Sequence, residues 1–184
     1  MITHIDDGFD FLGWNFRKYN GTFLTKPSQK SIKSITRKIK SIVRKARAWT
    51  QDALIKALNP AIRGWANYHR HIVAKETFKK LDAYVWTVTW QWAQRRHSNK
   101  GRKWIANRYW HSEGKRNWVF RTKENKLLLF SDFTIRRHRM PKLEANPYLD
   151  RKYFLNRKER IKRQTPWTQT RLSFFALRRP TIGL

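Results

Sequence analysis

Two adjacent carboxylates, Asp6 and Asp7, follow His4 and Ile5 near the start of a 184-residue chain. Paired acids are the donor set that holds two metal ions in nucleotidyl transfer. That chemistry also needs a third carboxylate upstream, and in its Tyr-x-Asp-Asp form an aromatic residue where His4 stands. Neither is present, so the pair receives no catalytic role. The six histidines, His4, His69, His71, His97, His111 and His138, contain no His-x-x-x-His spacing. His69 and His71, two residues apart, point to different faces of a helix. There is no Gly-rich phosphate loop and no Ser/His/Asp arrangement. With no Cys, a disulfide, an Fe–S cluster, a Cys-held zinc and a thiol nucleophile are all excluded. The sequence therefore predicts no catalytic residue, no metal and no cofactor.

What the chain has in excess is cation. It carries 42 Lys+Arg against 12 Asp+Glu, a formal charge of +30. Solubility alone needs a net charge of only about 2–8 in a small domain, so the excess points to a polyanionic partner, nucleic acid first. A hydrophobic content of 40%, with 10 Trp, 6 Tyr and 11 Phe, argues against a disordered polycation. No run approaches the roughly 18 apolar residues that span a bilayer, and the N-terminus has no signal-peptide pattern. The expected setting is a reducing compartment, the bacterial cytoplasm or nucleoid, with no membrane partner. The charge is uneven: 11 basic residues and no acid from Phe11 to Gln51, 8 against 1 from Arg95 to Arg116, and 11 against 3 from Arg136 to Arg163. Between the first two blocks, Asp52 to Gln94 is apolar-rich and carries only 6 basic residues against 3 acids.

The elements that must carry these cations are mainly helical. Gly8 to Thr25 reads as a hairpin around an Asn20-Gly21 type I′ turn. Ser28 caps a helix whose Ile32, Ile35, Ile39, Ile42, Ala46 and Trp49 fall at spacings of 3 and 4, one apolar face. Lys33, Arg37, Lys40, Arg44 and Arg47 share another face, within about 80° of one another at 100° per residue. Five like charges on one stripe gain no i,i+4 ion pairs, which favours phosphate contact over a solvated face. A short helix, Gln51 to Leu58 capped by Thr50, precedes a second helix started by Asn59-Pro60 and facing Ile62, Trp65, Ala66, His69 and Ile72 inward. A last helix packs Phe78, Leu81, Val85, Val88 and Trp92.

The second half is mixed. Arg102 to Trp110 reads as a short helix. Asn117 to Thr122 and Lys126 to Phe130 read as a hairpin around Lys123-Glu124-Asn125, and Thr134 to Arg139 as a third strand. Asn156 to Arg163 suits a charged helix or tail, and Thr165 to Leu184 is weakly patterned. Trp104, Trp118 and Phe120 have two open roles, base stacking or core.

Three runs carry a family resemblance. Phe9-Asp10-Phe11-Leu12-Gly13-Trp14, Lys26-Pro27-Ser28 and Leu58-Asn59-Pro60-Ala61-Ile62-Arg63-Gly64-Trp65-Ala66-Asn67-Tyr68-His69-Arg70 resemble the maturase-specific thumb (domain X) of group II intron-encoded proteins. Trp90 to His97 resembles the end of that domain. The blocks around Lys103-Trp104-Ile105 and Asn117 to Phe120 resemble the DNA-binding region that follows it. The resemblance covers roughly residues 1–155. It implies a thumb-like bundle over 1–97 with an N-terminal hairpin and a small α+β basic region over 98–155; beyond it, 156–184 is expected to be a basic tail. It also implies binding of group II intron RNA in support of splicing, and binding of target DNA. The RNA set implied is Lys26, Lys30, Lys33, Arg37, Lys40, Arg44, Arg47, Arg63 and Arg70. The DNA set is Arg95, Arg96, Lys100, Arg102, Lys103, Arg108, Arg136, Arg137 and Arg139. The family's reverse transcriptase palm and its HNH endonuclease are both missing from the pattern. The expected protein is therefore not an enzyme by itself, and a palm domain supplied in trans is a conceivable partner. The competing readings are a DNA-targeting accessory and a truncated relic.

Overall fold

A computed structural model describes residues 3–114, 116–136, 141–142, 144–146 and 148–164, with backbone alone from 161. The chain divides into two units, Met1–His138 and Arg139–Leu184.

The first unit opens with an antiparallel sheet in the order β1 (Phe9–Phe11), β2 (Trp14–Tyr19), β3 (Thr22–Pro27). Two residues join each pair: Leu12-Gly13 at φ 48° and 80°, and Asn20-Gly21 at φ 49° and 78°. Positive φ at both positions is what a type I′ turn requires. The expected Asn20-Gly21 hairpin is present, and one further strand is added to it. Phe9, Phe16 and Phe23 stack across the three strands, with centroids 5.3 and 6.4 Å apart.

Helix α1 (Gln29–Lys45) starts as expected. Ser28 Oγ accepts from Ser31 N at 3.1 Å, a cap that contributes about 1 kcal/mol. Ile35, Ile39 and Val43 are buried, while Ile32 and Ile42 are half-buried. A 3-10 turn over Ala46–Ala48 ends the helix. It changes the residue-to-residue rotation and leaves Trp49 40% exposed instead of on the apolar face.

Helix α2 runs unbroken from Gln51 to His69 with Pro60 inside it, capped by Thr50 Oγ1 from Ala53 N at 3.3 Å. This corrects the reading of two helices. Asn59 does not cap a helix start. Its side chain accepts from Leu128 N and donates to Lys126 O, both at 2.9 Å. Pro60 removes one rung of the helix ladder, and the neighbouring turns hold because Leu54, Ile55, Leu58, Ala61 and Ile62 are all buried.

Helix α3 (Lys75–Arg96) buries Phe78, Leu81, Val85, Val88 and Trp92 as expected. Trp92 Nε1 donates to Ala46 O at 2.7 Å, tying α3 to the end of α1.

After α4 (Arg102–Tyr109) comes a hairpin of β4 (Trp110–Glu113) and β5 (Arg116–Phe120). The expected partner of β5, Lys126 to Phe130, is not a strand. It makes one bridge, Arg121 to Lys126, and then turns into a 3-10 turn at Phe130–Asp132. The reason is polar: the Asp82 carboxylate accepts from Phe130 N at 2.6 Å and Ser131 N at 3.0 Å, drawing the segment onto α3. Thr134–Arg136 forms no strand either; Arg136 N donates to Arg70 O at 2.8 Å. The rest of that expected strand, 137–139, lies outside the described residues. Ile105, Tyr109, Trp110, Phe120, Leu127 and Phe130 belong to the same buried cluster as the helices, so the core continues past residue 97.

In the second unit, α5 (Arg151–Gln164) takes in residues 156–163, for which the sequence left helix and tail open. Lys142 N donates to Tyr153 Oη at 3.1 Å. The weakly patterned stretch 165–184 lies outside the described residues.

Candidate nucleic-acid interface

Helix α1 buries one face, and its opposite flank carries the stripe. Lys33, Arg37, Lys40, Arg44 and Arg47 are all exposed. The ion pairs among the described residues join His4 to Asp6, Lys56 to Asp52, Arg116 to Asp132, and Arg121 and Lys126 to Glu113. None of them touches the stripe. A helix whose cations have no carboxylate partner must hold them against mutual repulsion in the absence of an anion.

The stripe also forms one wall of a groove. Lys40, Val43, Arg44 and Arg47 from the α1 side face Val88, Gln91 and Arg95 of α3 across about 360 Å³. Its floor is apolar and its rim cationic, a shape in which low-dielectric walls strengthen the field on an incoming phosphate. A wider depression over Arg37, Lys40, Ser41, Arg44, Lys45 and Arg47 adjoins the same stripe.

The structure regroups the expected sets. Arg95, expected on the DNA side, lines the groove with Lys40, Arg44 and Arg47. Arg96 is committed elsewhere: its Nη1 donates to Arg47 O at 3.1 Å and to Trp49 O at 2.5 Å, and its guanidinium lies 4.9 Å over Trp92. It clips α3 to the 3-10 turn. Lys26 sits with Nζ 3.7 Å over the Tyr19 ring, on the sheet. Lys30 and Arg63 are exposed on α1 and α2. Arg70 is half-buried and bonds Asn67 Oδ1 at 3.2 Å and Thr134 Oγ1 at 3.4 Å. Burial, and then the nearby Arg136, push its guanidinium below the ordinary value. Lys100 lies 5.7 Å over Trp104, and Arg102, Lys103 and Arg108 are exposed on or beside α4. Arg137 and Arg139 lie outside the described residues.

Gln91 and Val88 were not foreseen as parts of a site. Their signal was the i, i+3, i+7 spacing Val88, Gln91, Arg95, visible only once α3 is known to lie beside the α1 stripe.

Among the described residues no group of three or more His, Asp or Glu side chains converges as a metal site. No helix among them is long and apolar enough to cross a membrane.

Residues 32–110 match the model of the group II intron maturase-specific domain. The match begins in α1, takes in the stripe and the groove, and ends at Trp110. Residues 32–110 are thus similar to the maturase-specific domain of group II introns. A search of curated proteins returned no match.

Proposed function

We propose that the chain binds folded group II intron RNA through the α1 stripe and the α1–α3 groove, and that it assists splicing by holding that fold. The observation that supports this reading is the coincidence of the unpaired cationic stripe with the maturase-specific segment. Phosphate contacts supply affinity by releasing counterions. The groove adds shape, because only a backbone that follows the rim engages Lys40, Arg44, Arg47 and Arg95 together. No reacting group is assigned, and the chain acts by binding.

A second surface is proposed for target DNA, on Lys100, Arg102, Lys103 and Arg108, which project from α4 and the turn before it. The test is equilibrium binding to intron RNA, tRNA and duplex DNA over a salt series. Charge reversal on α1 is expected to remove RNA binding, and Arg102→Glu with Lys103→Glu to remove duplex DNA binding. An extension assay on a primed template is expected to give no product from this chain alone.

A further inference from the structure

The β4–β5 hairpin holds a strained tryptophan at the mouth of a pocket. Trp110 pairs with Phe120 and His111 with Val119, but Glu113 pairs with Arg116. Ser112 therefore faces two residues, Asn117 and Trp118, which is a β-bulge. Bulges re-aim side chains and recur beside functional sites. Trp118 takes φ 67°, in the left-handed region that glycine and asparagine occupy readily and a bulky side chain does not. Strain of this kind persists where surrounding structure enforces it, and it clusters at ligand sites.

The Trp118 residue is 56% exposed, as a core residue would not be. It lines a cavity of about 170 Å³ together with Trp86 from α3, over a floor of Phe120 and Leu127. Trp86 is 44% exposed and stacks on Trp90, with ring centroids 5.6 Å apart and planes 9° from parallel. A volume well below the roughly 300–1,000 Å³ of drug-sized sites suits one flat ring system.

The charges at the rim narrow the occupant. Asp82, Glu113 and Asp132 line the pocket together with Arg116 and Lys126, and both cations are already paired with carboxylates, so the rim offers no free cation to a phosphate. Those carboxylates are not free for a cation either. Asp82 accepts the Phe130 and Ser131 backbone N–H groups, Asp132 pairs with Arg116, and Glu113 accepts from Lys126 Nζ at 3.0 Å. What remains is an uncharged planar ligand with a polar edge.

We propose that this pocket captures one unpaired nucleobase of a nucleic-acid strand, stacked against Trp118 and Trp86. The inference rests on the nucleic-acid reading above. It adds a base-dependent contact to the phosphate contacts of α1.

The test compares a labelled 12-nucleotide single strand with an abasic strand of the same length, in RNA and DNA forms, by fluorescence anisotropy on the full chain. Trp118→Asn fits the left-handed backbone. It is expected to weaken binding of the base-bearing strand about five- to hundredfold, the range of one lost aromatic stack. The abasic strand is expected to bind unchanged and the thermal midpoint to hold or rise. Trp86→Ala is expected to repeat the base-selective loss. Loss in both sugar forms locates recognition in the base, and loss in one alone identifies the strand the pocket serves. Equal loss for base-bearing and abasic strands, no loss, or a fallen midpoint with parallel loss of both would overturn the proposal. So would Trp118-dependent capture of an arginine-rich peptide without base-dependent binding. If the wild-type chain ignores the abasic strand, the phosphate reading of α1 fails separately.

Discussion

Ser31 Oγ lies 2.9 Å from His69 Nε2, joining α1 to the end of α2 across 38 residues of sequence. Trp65 Nε1 donates to the same hydroxyl oxygen at 3.0 Å, and Trp65 and His69 pack with ring centroids 4.1 Å apart. The imidazole is fully buried. Among the described residues its Nδ1 has no hydrogen-bond partner, so a charged ring would hold an unpaired N–H in the core. Burial accordingly lowers the His69 pKa to about 4.

This lowering fixes a pH dependence. In the unfolded chain His69 titrates near 6.5, so between pH 6.5 and 4 the unfolded state binds the extra proton and folding weakens as pH falls. The slope from this one group reaches at most about 1.4 kcal/mol per pH unit. Above pH 6.5 its contribution is flat. Urea midpoints between pH 7.5 and 4 are expected to show the fall, and His69→Gln, which does not titrate there, is expected to lose this component. An unchanged slope in the variant would mean that His69 is not held neutral.

Asn59 and Pro60 make opposite predictions within one helix. Asn59→Ala removes the bonds to Lys126 O and Leu128 N and is expected to cost about 1–3 kcal/mol, since it strands a backbone N–H. Pro60→Ala restores a ladder donor in mid-helix and is expected to stabilise, by up to about 3 kcal/mol on intrinsic propensity. Were the pair a helix start, Pro60→Ala would be neutral or harmful. Thermal unfolding separates the two.

The neighbouring arginines at the end of α3 are expected to part company. Arg96 bonds two carbonyls and covers Trp92, so Arg96→Ala is expected to lower the thermal midpoint by several degrees. Arg95 lines the cationic groove. Arg95→Ala is expected to leave the midpoint alone and to reduce the slope of log affinity against log salt by about 0.7–0.9, the value of one phosphate contact.

Much of this was legible before the structure. The Asn20-Gly21 turn, the Ser28 and Thr50 caps, the seam of α3 and the cationic stripe are local patterns, and the chain obeys them. The misreadings share a cause. Asn59-Pro60 has the chemistry of a helix start, but the Asn59 side chain found partners nearly seventy residues away. Lys126 to Phe130 has the composition of a strand, but Asn59 took the Leu128 N–H and the Asp82 carboxylate the Phe130 N–H. Trp118, whose role the sequence left open between stacking and core, lies in the expected strand and is turned outward by a bulge. In each case a long-range polar contact or a register shift overrode the local signal. The groove depended on tertiary placement too, because α1 and α3 had to be neighbours before Gln91 and Arg95 could meet the stripe.

The most direct test of the account is filter binding of the full chain to group II intron RNA and to tRNA over a salt series, with and without charge reversal at Lys33, Arg37, Lys40 and Arg44. The account predicts tighter binding of intron RNA than of tRNA, log affinity falling linearly with log salt, and loss of RNA binding in the reversed variant with its helical circular dichroism intact. Equal affinity for the two RNAs, or binding that survives the reversal, would contradict it.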